Sequence, residues 1–263
     1  MKICLLVEGS FAAPRPRQED PLSALWKTLV PQALNLKVAI DELVPISKKN
    51  LLAMDDTLPR SGRAIPLDEL ILQRIKLTNI DAAIVVWDLI PQWADSPACR
   101  WQETLDLYRL LGMRSVLPNE WRDAAGARHL DLLARDAPSQ RVAPPTLQNG
   151  SVVAICIDPM FETILVQDES AVRRALEVAG KNVPGWPTWA RNSRRPDREL
   201  LAPAVARSRR VSTAAVFRRL GSDFKVAKQE WATYLYRKLC EDQNARNVLV
   251  SHSVSARLQE LLG

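Results

Sequence analysis

Three acidic residues occur where a parallel β-sheet would place its functional groups. Glu8, Asp88 and Glu162 each follow a short apolar run, the first two directly and the third after a few residues. In an open α/β sheet, ligands bind beyond the carboxyl ends of the strands. Carboxylates gathered there repel one another, and a divalent cation removes that cost. Because Mg²⁺ takes one or two carboxylates together with phosphate oxygens, the pattern predicts a magnesium site for phosphodiester chemistry.

Each of these acids also has an ordinary structural interpretation. A single acid at a strand end is more often a solvated turn residue or a helix N-cap than a metal ligand. Asp158, directly before Pro159, is expected to cap the helix that follows. Geometry separates the two interpretations, because carboxylates within roughly 10 Å of one another can share one or two hydrated Mg²⁺ ions. Scattered acids would exclude an enzyme of this kind.

Other catalytic arrangements have little support in the sequence. The two histidines, His129 and His252, fall in a predicted helix and near the C-terminus, and we expect both to be structural or solvated. There is no GxxxxGK[ST] phosphate-binding loop, no GxSxG motif and no cysteine–histidine arrangement. The four cysteines lie far apart without a CxxC pair, which predicts reduced thiols rather than a zinc site or disulfides.

A strongly basic stretch runs from Arg173 to Cys240. It contains 16 Lys and Arg against 5 Asp and Glu, a charge of +11 that leaves −5 for the rest of the chain. Clustered Lys and Arg attract phosphate backbones, so the stretch predicts nucleic-acid binding; a solvated helical face or a contact with an acidic protein is the alternative. The candidate contacts are Arg191, Arg194, Arg195, Arg207, Arg209, Arg210, Arg218 and Arg219. Trp186 and Trp189 could stack on bases beside them, or instead pin their loop to the core.

Apolar runs and helical periodicity alternate along the first two thirds of the chain. The predicted strands are Lys2–Val7, Lys37–Val44, Ala82–Asp88, Arg114–Leu117 and Ser151–Ile157. Helices are predicted at Pro21–Leu34, Leu67–Leu77, Cys99–Leu111, Glu120–Arg135, around Glu162, and at residues 201–219, 223–242 and 253–262. The composition of Asp136–Gly150 predicts a linker. The order predicts an α/β fold with a mostly parallel sheet flanked by helices, followed by a basic, mainly helical C-terminal region.

Composition places the chain among ordinary globular proteins. Its 263 residues, 47% hydrophobic and 25% charged, suit one large domain or two of common size. No apolar run approaches the ~20 residues that span a bilayer. The opening MKICLLVEGS has no cleavage site for a signal peptidase and an acid directly behind its apolar run, so a cytoplasmic location is expected.

Two of these motifs resemble the Toprim domain of topoisomerases, primases and overcoming-lysogenization-defect nucleases. An apolar strand ending in Val7-Glu8-Gly9 is followed much later by an apolar strand ending in Asp88. The segment Ile155–Asp168 is similar to the late motif of a bacterial Toprim-like family, in which a Glu opens a helix and an acid follows six residues later. The resemblance covers about residues 1–180 and implies a Toprim-like domain there, with residues 181–263 forming the basic helical region.

The resemblance implies roles for the three acids. Glu8 would bind metal or act as general acid or base, Asp88 would be a metal ligand, and Glu162 would complete the site. Toprim domains usually carry an Asp-x-Asp pair after the central strand, whereas this chain reads Asp88-Leu89-Ile90, and Asp95 is the acid that could replace the missing one.

The implied function is an Mg²⁺-dependent (alternatively Mn²⁺-dependent) nuclease or nuclease-like subunit. Its substrate would be nucleic acid, with DNA expected before RNA. It would act with an ATPase partner in a prokaryotic antiviral defence or mobile-element system, and self-association is left open. A catalytically inactive Toprim-like scaffold that binds nucleic acid or a partner protein is the alternative, and the missing second acid favours it.

Overall fold

A computed structural model describes residues 1–11, 19–55, 64–88, 101–134, 146–178, 185–188, 190–209, 223–225 and 227–263. Its contacts divide the chain into two compact units. The first unit consists of Met1–Ser10, Leu36–Ile157 and Glu260–Gly263, and the second of Phe11–Asn35 and Asp158–Gln259. The boundary predicted at residue 180 therefore lies inside the second unit. Asp95, and the predicted linker between residues 136 and 145, lie outside the described residues.

Strands and helices alternate along the described chain. The strands there are β1 Ile3–Glu8, β2 Glu42–Ile46, β3 Ala82–Asp88 and β4 Ser151–Ile157. The α-helices there are α1 Pro21–Ser23, α2 Val30–Leu34, α3 Lys48–Leu52, α4 Leu67–Thr78, α5 Trp101–Met113, α6 Asn119–Leu133, α7 Glu162–Leu165, α8 Glu169–Leu176, α9 Ala202–Ala206, α10 Lys228–Glu241, α11 Gln243–Ser251 and α12 Ser253–Leu262. Ala24–Leu29 and Asp197–Leu201 are π-helical, and Ala190–Asn192 is a 3₁₀ turn. No helix in the described part of the chain is both long and apolar enough to cross a bilayer.

The four strands form one sheet in the order β2-β1-β3-β4, and every neighbouring pair is parallel. The α/β class with a parallel sheet flanked by helices, predicted from the alternation of periods, is thereby confirmed. β1 and β3 are the two inner strands, and all residues from Ile3 to Val7 and from Ala82 to Trp87 are buried. An unbroken apolar run is what a strand covered on both faces requires.

Helices α4, α5 and α6 pack on one face of this sheet around Cys4, Leu6, Val85 and Trp87. These strand residues alternate in sequence, as side chains on one face of a strand must. On this face Trp87 donates its indole N–H to Cys156 Sγ at 2.8 Å. The sheet and its three helices thus form the core that holds the ends of β1 and β3 in place.

Two predicted strands differ from the observed ones. Residues 114–117 form a turn, in which the Leu117 N–H donates to the Arg114 carbonyl at 3.0 Å, so the prediction of a strand there was wrong. The Arg114 side chain explains this, because its Nε donates to Oδ2 of the fully buried Asp68 at 2.6 Å. β2 begins at Glu42 rather than Lys37, since the Lys37 N–H donates to the Leu262 carbonyl instead of to a strand.

The second unit joins an early helical segment to the C-terminal helices. Thr233 Oγ1 donates to the Pro21 carbonyl at 3.0 Å, and its helix α10 also buries Trp231 completely. Phe161 lies between two further aromatic rings, with ring centroids 5.7 Å from Trp26 and 6.4 Å from Tyr236. These contacts connect residues 75 to 212 positions apart, so the second unit is built from segments that lie far apart in the sequence.

We predict that Cys4 and Cys240 resist alkylation in the folded protein. Burial raises the pKa of the Cys4 thiol to about 12 and that of Cys240 to about 11. The thiolate is the reactive form, so at about pH 8 both should react with iodoacetamide far more slowly than a free cysteine. Mass spectrometry of protein treated with and without urea measures this difference. Equal labelling of Cys4 in both conditions would contradict the buried β1 strand.

Candidate functional site

Glu8 and Asp88 lie next to each other at the carboxyl edge of the sheet. Glu8 is the last residue of β1 and Asp88 is the last residue of β3, and these strands are hydrogen-bonded neighbours with Val7 opposite Val86. The Asp88 backbone N–H donates to Glu8 Oε2 at 3.2 Å. Both side chains are half-buried, so the strand ends present two carboxylates that are fixed by the core yet partly open. This is the edge at which open α/β sheets bind ligands.

The residues next to the two acids support this arrangement. The Gly9 N–H donates to the Ile46 carbonyl at 3.0 Å, which continues the pairing of β1 with β2 past Glu8. Trp87, directly before Asp88, is fully buried and held by Cys156 on β4. The backbone is therefore anchored on both sides of Glu8 and at Trp87, directly before Asp88, which fixes the two acids beside each other.

Glu162 belongs to the second unit and has a basic partner of its own. It begins α7, as predicted, but its side chain is buried, with Oε1 3.0 Å from Lys228 Nζ. Lys228 Nζ also lies 3.7 Å from Oδ2 of the buried Asp197, and Arg195 Nε lies 3.5 Å from Asp197 Oδ1. Burial raises the pKa of the Glu162 carboxyl, and the Lys228 ammonium opposes that rise. The group is an alternating set of two acids and two bases.

The three predicted acids are thus divided between the two units, Glu8 and Asp88 in the first and Glu162 in the second. The structure brings Glu8 and Asp88 together, and it pairs Glu162 with Lys228. Across the described ranges, no group of three or more His, Cys, Asp or Glu side chains is placed to hold a metal ion. Two carboxylates still suffice for Mg²⁺ when substrate phosphates complete the shell. Metal binding by these acids remains a prediction.

Asp158 does not cap the helix that follows it. The helix α7 begins at Glu162, three residues beyond Pro159, and its N-cap residue Phe161 makes no side-chain cap. The capping acid of this region is Asp168, whose Oδ1 accepts the Ala171 N–H at 3.0 Å at the start of α8. The prediction for Asp158 was wrong because a turn separates β4 from α7.

The candidate nucleic-acid contacts have different environments. Arg194, Arg207 and Arg209 are exposed, whereas Arg195 is half-buried beside Asp197. Arg191 lies in the 3₁₀ turn. Arg210, Arg218 and Arg219 lie outside the described residues. Exposure suits phosphate contacts, whereas Arg195 already faces a buried acid.

The ion pairs of Glu162 and of Asp68 were missed at the sequence level. Lys228 is 66 positions from Glu162, and Arg114 is 46 positions from Asp68. Neither spacing corresponds to a helical or strand period, so no local pattern indicates these partners. The sequence offers one indication that Asp68 is buried and needs a partner: it lies in the largely apolar segment Leu67–Leu72.

The chain matches no protein-family model, no curated protein and no solved structure. The resemblance to Toprim domains thus rests on the motifs around Glu8, Asp88 and Glu162 and on the parallel sheet that places the first two. The class that the fold defines is an α/β protein with a four-stranded parallel sheet and two carboxylates at adjacent strand ends.

Proposed function

We propose that this chain is an Mg²⁺-dependent nuclease, or the nuclease-like subunit of an assembly with an ATPase, in a prokaryotic defence or mobile-element system. The observation that carries the proposal is the placement of Glu8 and Asp88 on adjacent strand ends, joined by the hydrogen bond from the Asp88 N–H to Glu8 Oε2. Acids at this edge suit phosphodiester chemistry, because a cation there neutralises both the carboxylates and the phosphate.

The donor set fits magnesium. Glu8 and Asp88 offer carboxylate oxygens, the hard ligands that Mg²⁺ prefers. A bound Mg²⁺ would polarise a phosphate oxygen of the substrate as a Lewis acid. Glu8 and Asp88 would hold the ion, with the remaining positions left to water and phosphate.

Glu8 is the better candidate for proton transfer. Its carboxylate extends to the neighbouring strand, where one oxygen accepts the Asp88 N–H. Its carboxylate would also bind a metal ion or accept the proton of an attacking water. A carboxylate positioned by a backbone hydrogen bond can act as general base without losing its orientation.

The basic second unit supports a nucleic-acid substrate. The +11 stretch between Arg173 and Cys240 includes the exposed Arg194, Arg207 and Arg209. Contacts of this kind to phosphates set affinity and position but carry little base information. We therefore propose that the chain binds nucleic acid, with DNA expected before RNA, without strong sequence preference.

The test is metal-dependent cleavage by the purified chain, alone and with any co-purifying ATPase. Labelled single- and double-stranded DNA and RNA are incubated with Mg²⁺, Mn²⁺ or EDTA. We expect cleavage with Mg²⁺ or Mn²⁺ and none with EDTA, because two carboxylates cannot neutralise the phosphate without a cation. Cleavage that persists in EDTA would contradict the proposed site.

A catalytically inactive scaffold that binds nucleic acid or a partner protein is the second candidate. The pairing of Glu162 with Lys228 favours it, because that acid already has a cationic partner within its own unit. The departure Asp88-Leu89-Ile90 from the Asp-x-Asp pattern points the same way. Salt-dependent nucleic-acid binding without cleavage of any substrate would select this candidate over the nuclease.

A further inference from the structure

The second unit contains a small cavity that the metal site does not use. It has a volume of about 140 Å³ and lies between α8, α9 and the segment that carries Trp186. Its walls combine the apolar Trp186, Pro187 and Pro203 with the charged Arg173 and Arg207. Glu199 also lines it and provides a carboxylate at the same cavity.

Hydrogen bonds hold these walls in position. Oε1 of Glu169 accepts both the Trp186 backbone N–H at 2.9 Å and Arg173 Nε at 2.7 Å, which joins Trp186 to helix α8 and fixes the Arg173 side chain of that helix. Across the cavity, Ser193 Oγ donates to Glu199 Oε2. Arg207 follows the last residue of α9 and is exposed, and it makes no ion pair with a described residue. The cavity is thus formed before any ligand arrives, with one cation directed to solvent.

The chemistry of the walls fits one unpaired nucleotide. A base can stack on tryptophan, and arginine can contact either the base face or the adjoining phosphate. The carboxylate of Glu199 can accept hydrogen bonds from the exocyclic amino group of a base. The volume is below the ~300 Å³ of typical small-molecule pockets, so the cavity suits a base alone, with its sugar and phosphate outside.

We propose that this cavity, defined by Arg173, Trp186, Glu199 and Arg207, binds one unstacked base of single-stranded nucleic acid. The inference rests on the proposed function, since it names a subsite of the same nucleic-acid partner. It also adds a preference for strands that carry bases, which the exposed arginines cannot provide. Phosphate contacts do not distinguish an intact strand from a backbone without bases, whereas a base-binding cavity does.

The experiment compares two labelled oligodeoxynucleotides of equal length, one intact and one abasic at every position. Fluorescence anisotropy gives the affinity of each for the whole chain and for three variants. We expect wild type to bind the intact strand roughly 5- to 150-fold more tightly, the range for stacking of one base. In Trp186→Leu the preference should fall close to one, and Arg207→Gln should reduce it.

Arg198→Gln is the matched control. Arg198 is an exposed arginine of the same region but does not line the cavity, so its loss should weaken both strands equally and leave the preference unchanged. Circular dichroism checks that Trp186→Leu is folded, because Trp186 is half-buried. Arg207→Gln is a second test of the cavity that changes an exposed side chain instead. Equal binding of both strands by wild type, or an unchanged preference in both cavity variants, would overturn the inference.

Further measurements separate this inference from the nuclease proposal and from free nucleotides. A base preference with no metal-dependent cleavage would support the cavity and contradict the nuclease. Cleavage without a base preference would do the reverse. Calorimetric titration with deoxyadenosine monophosphate tests whether the cavity binds a free nucleotide instead of a base within a strand. Binding of this nucleotide that is lost in Trp186→Leu, without any base preference on strands, would assign the cavity to free nucleotides and overturn the strand proposal.

Discussion

Replacement Glu8→Gln is expected to lower Mg²⁺-dependent cleavage by at least about 100-fold, the lower bound for removing a general acid or base. The substitution removes the charge that would bind the cation and accept a proton. It keeps the shape of the side chain, and the carbonyl oxygen of the new amide can still accept the Asp88 N–H. The folded structure should therefore survive, with a change in the free energy of unfolding within about 1 kcal/mol.

The measurement is the cleavage rate at saturating Mg²⁺, together with a urea denaturation curve of the same preparation. Asp123→Asn is the control, since Asp123 is an exposed acid on α6 and the substitution removes the same charge away from the strand ends. We expect full activity in this control. A Glu8→Gln variant that cleaves like wild type would exclude Glu8 from the mechanism, and one that unfolds would give Glu8 a structural role instead.

The sheet could be predicted because its information is local. Each inner strand is an unbroken apolar run, and this run alone indicates burial on both faces. For the same reason the carboxyl ends of the strands, with Glu8 and Asp88, could be assigned to one edge of the sheet. The extent of β4, Ser151–Ile157, also matches its prediction, because a turn at Gly150 and the Asp158-Pro159 pair bound it.

Contacts between distant segments could not be predicted in this way. Residues 114–117 have a strand-like composition, yet Arg114 turns toward the buried Asp68 and the segment forms a turn. Glu162 follows its strand as a site residue would, yet Lys228 from a distant helix neutralises it. Sequence periodicity indicates which face of a helix or strand is buried, but not which charged side chain from a distant segment contacts a buried acid. The adjacency of the two acids on strands was therefore predictable, whereas the basic partner of Glu162 was not.

Replacement Lys228→Met is expected to destabilise the protein by about 3 kcal/mol, the lower end of the range for breaking a buried ion pair. The lower end applies because the Lys228 side chain is 26% exposed, whereas those of Glu162 and Asp197 are 4% and 0% exposed. Removing the ammonium leaves two buried carboxylates, of which Asp197 keeps Arg195 at 3.5 Å. An uncompensated buried charge is the costly product of such a change.

The same change makes a prediction about pH. Burial already holds the pKa of Glu162 above its ordinary value, and loss of Lys228 should raise that pKa further because the opposing cation is gone. A carboxyl with a raised pKa in the folded state contributes stability at low pH and loses it as the pH rises through that pKa. The destabilisation by Lys228→Met should therefore be larger at about pH 7 than at about pH 5.

Urea denaturation of four proteins measures this effect: wild type, Lys228→Met, Glu162→Gln and the double variant. The double variant should recover part of the loss at about pH 7, because a neutral amide replaces the unpaired charge, and the coupling energy then measures the pair. Lys225→Met is the matched control, since Lys225 is exposed in the same segment and its loss should cost no more than about 0.5 kcal/mol. Equal losses at both pH values without recovery in the double variant would show that the Lys228 ammonium does not neutralise Glu162, which would leave that acid available for the metal site.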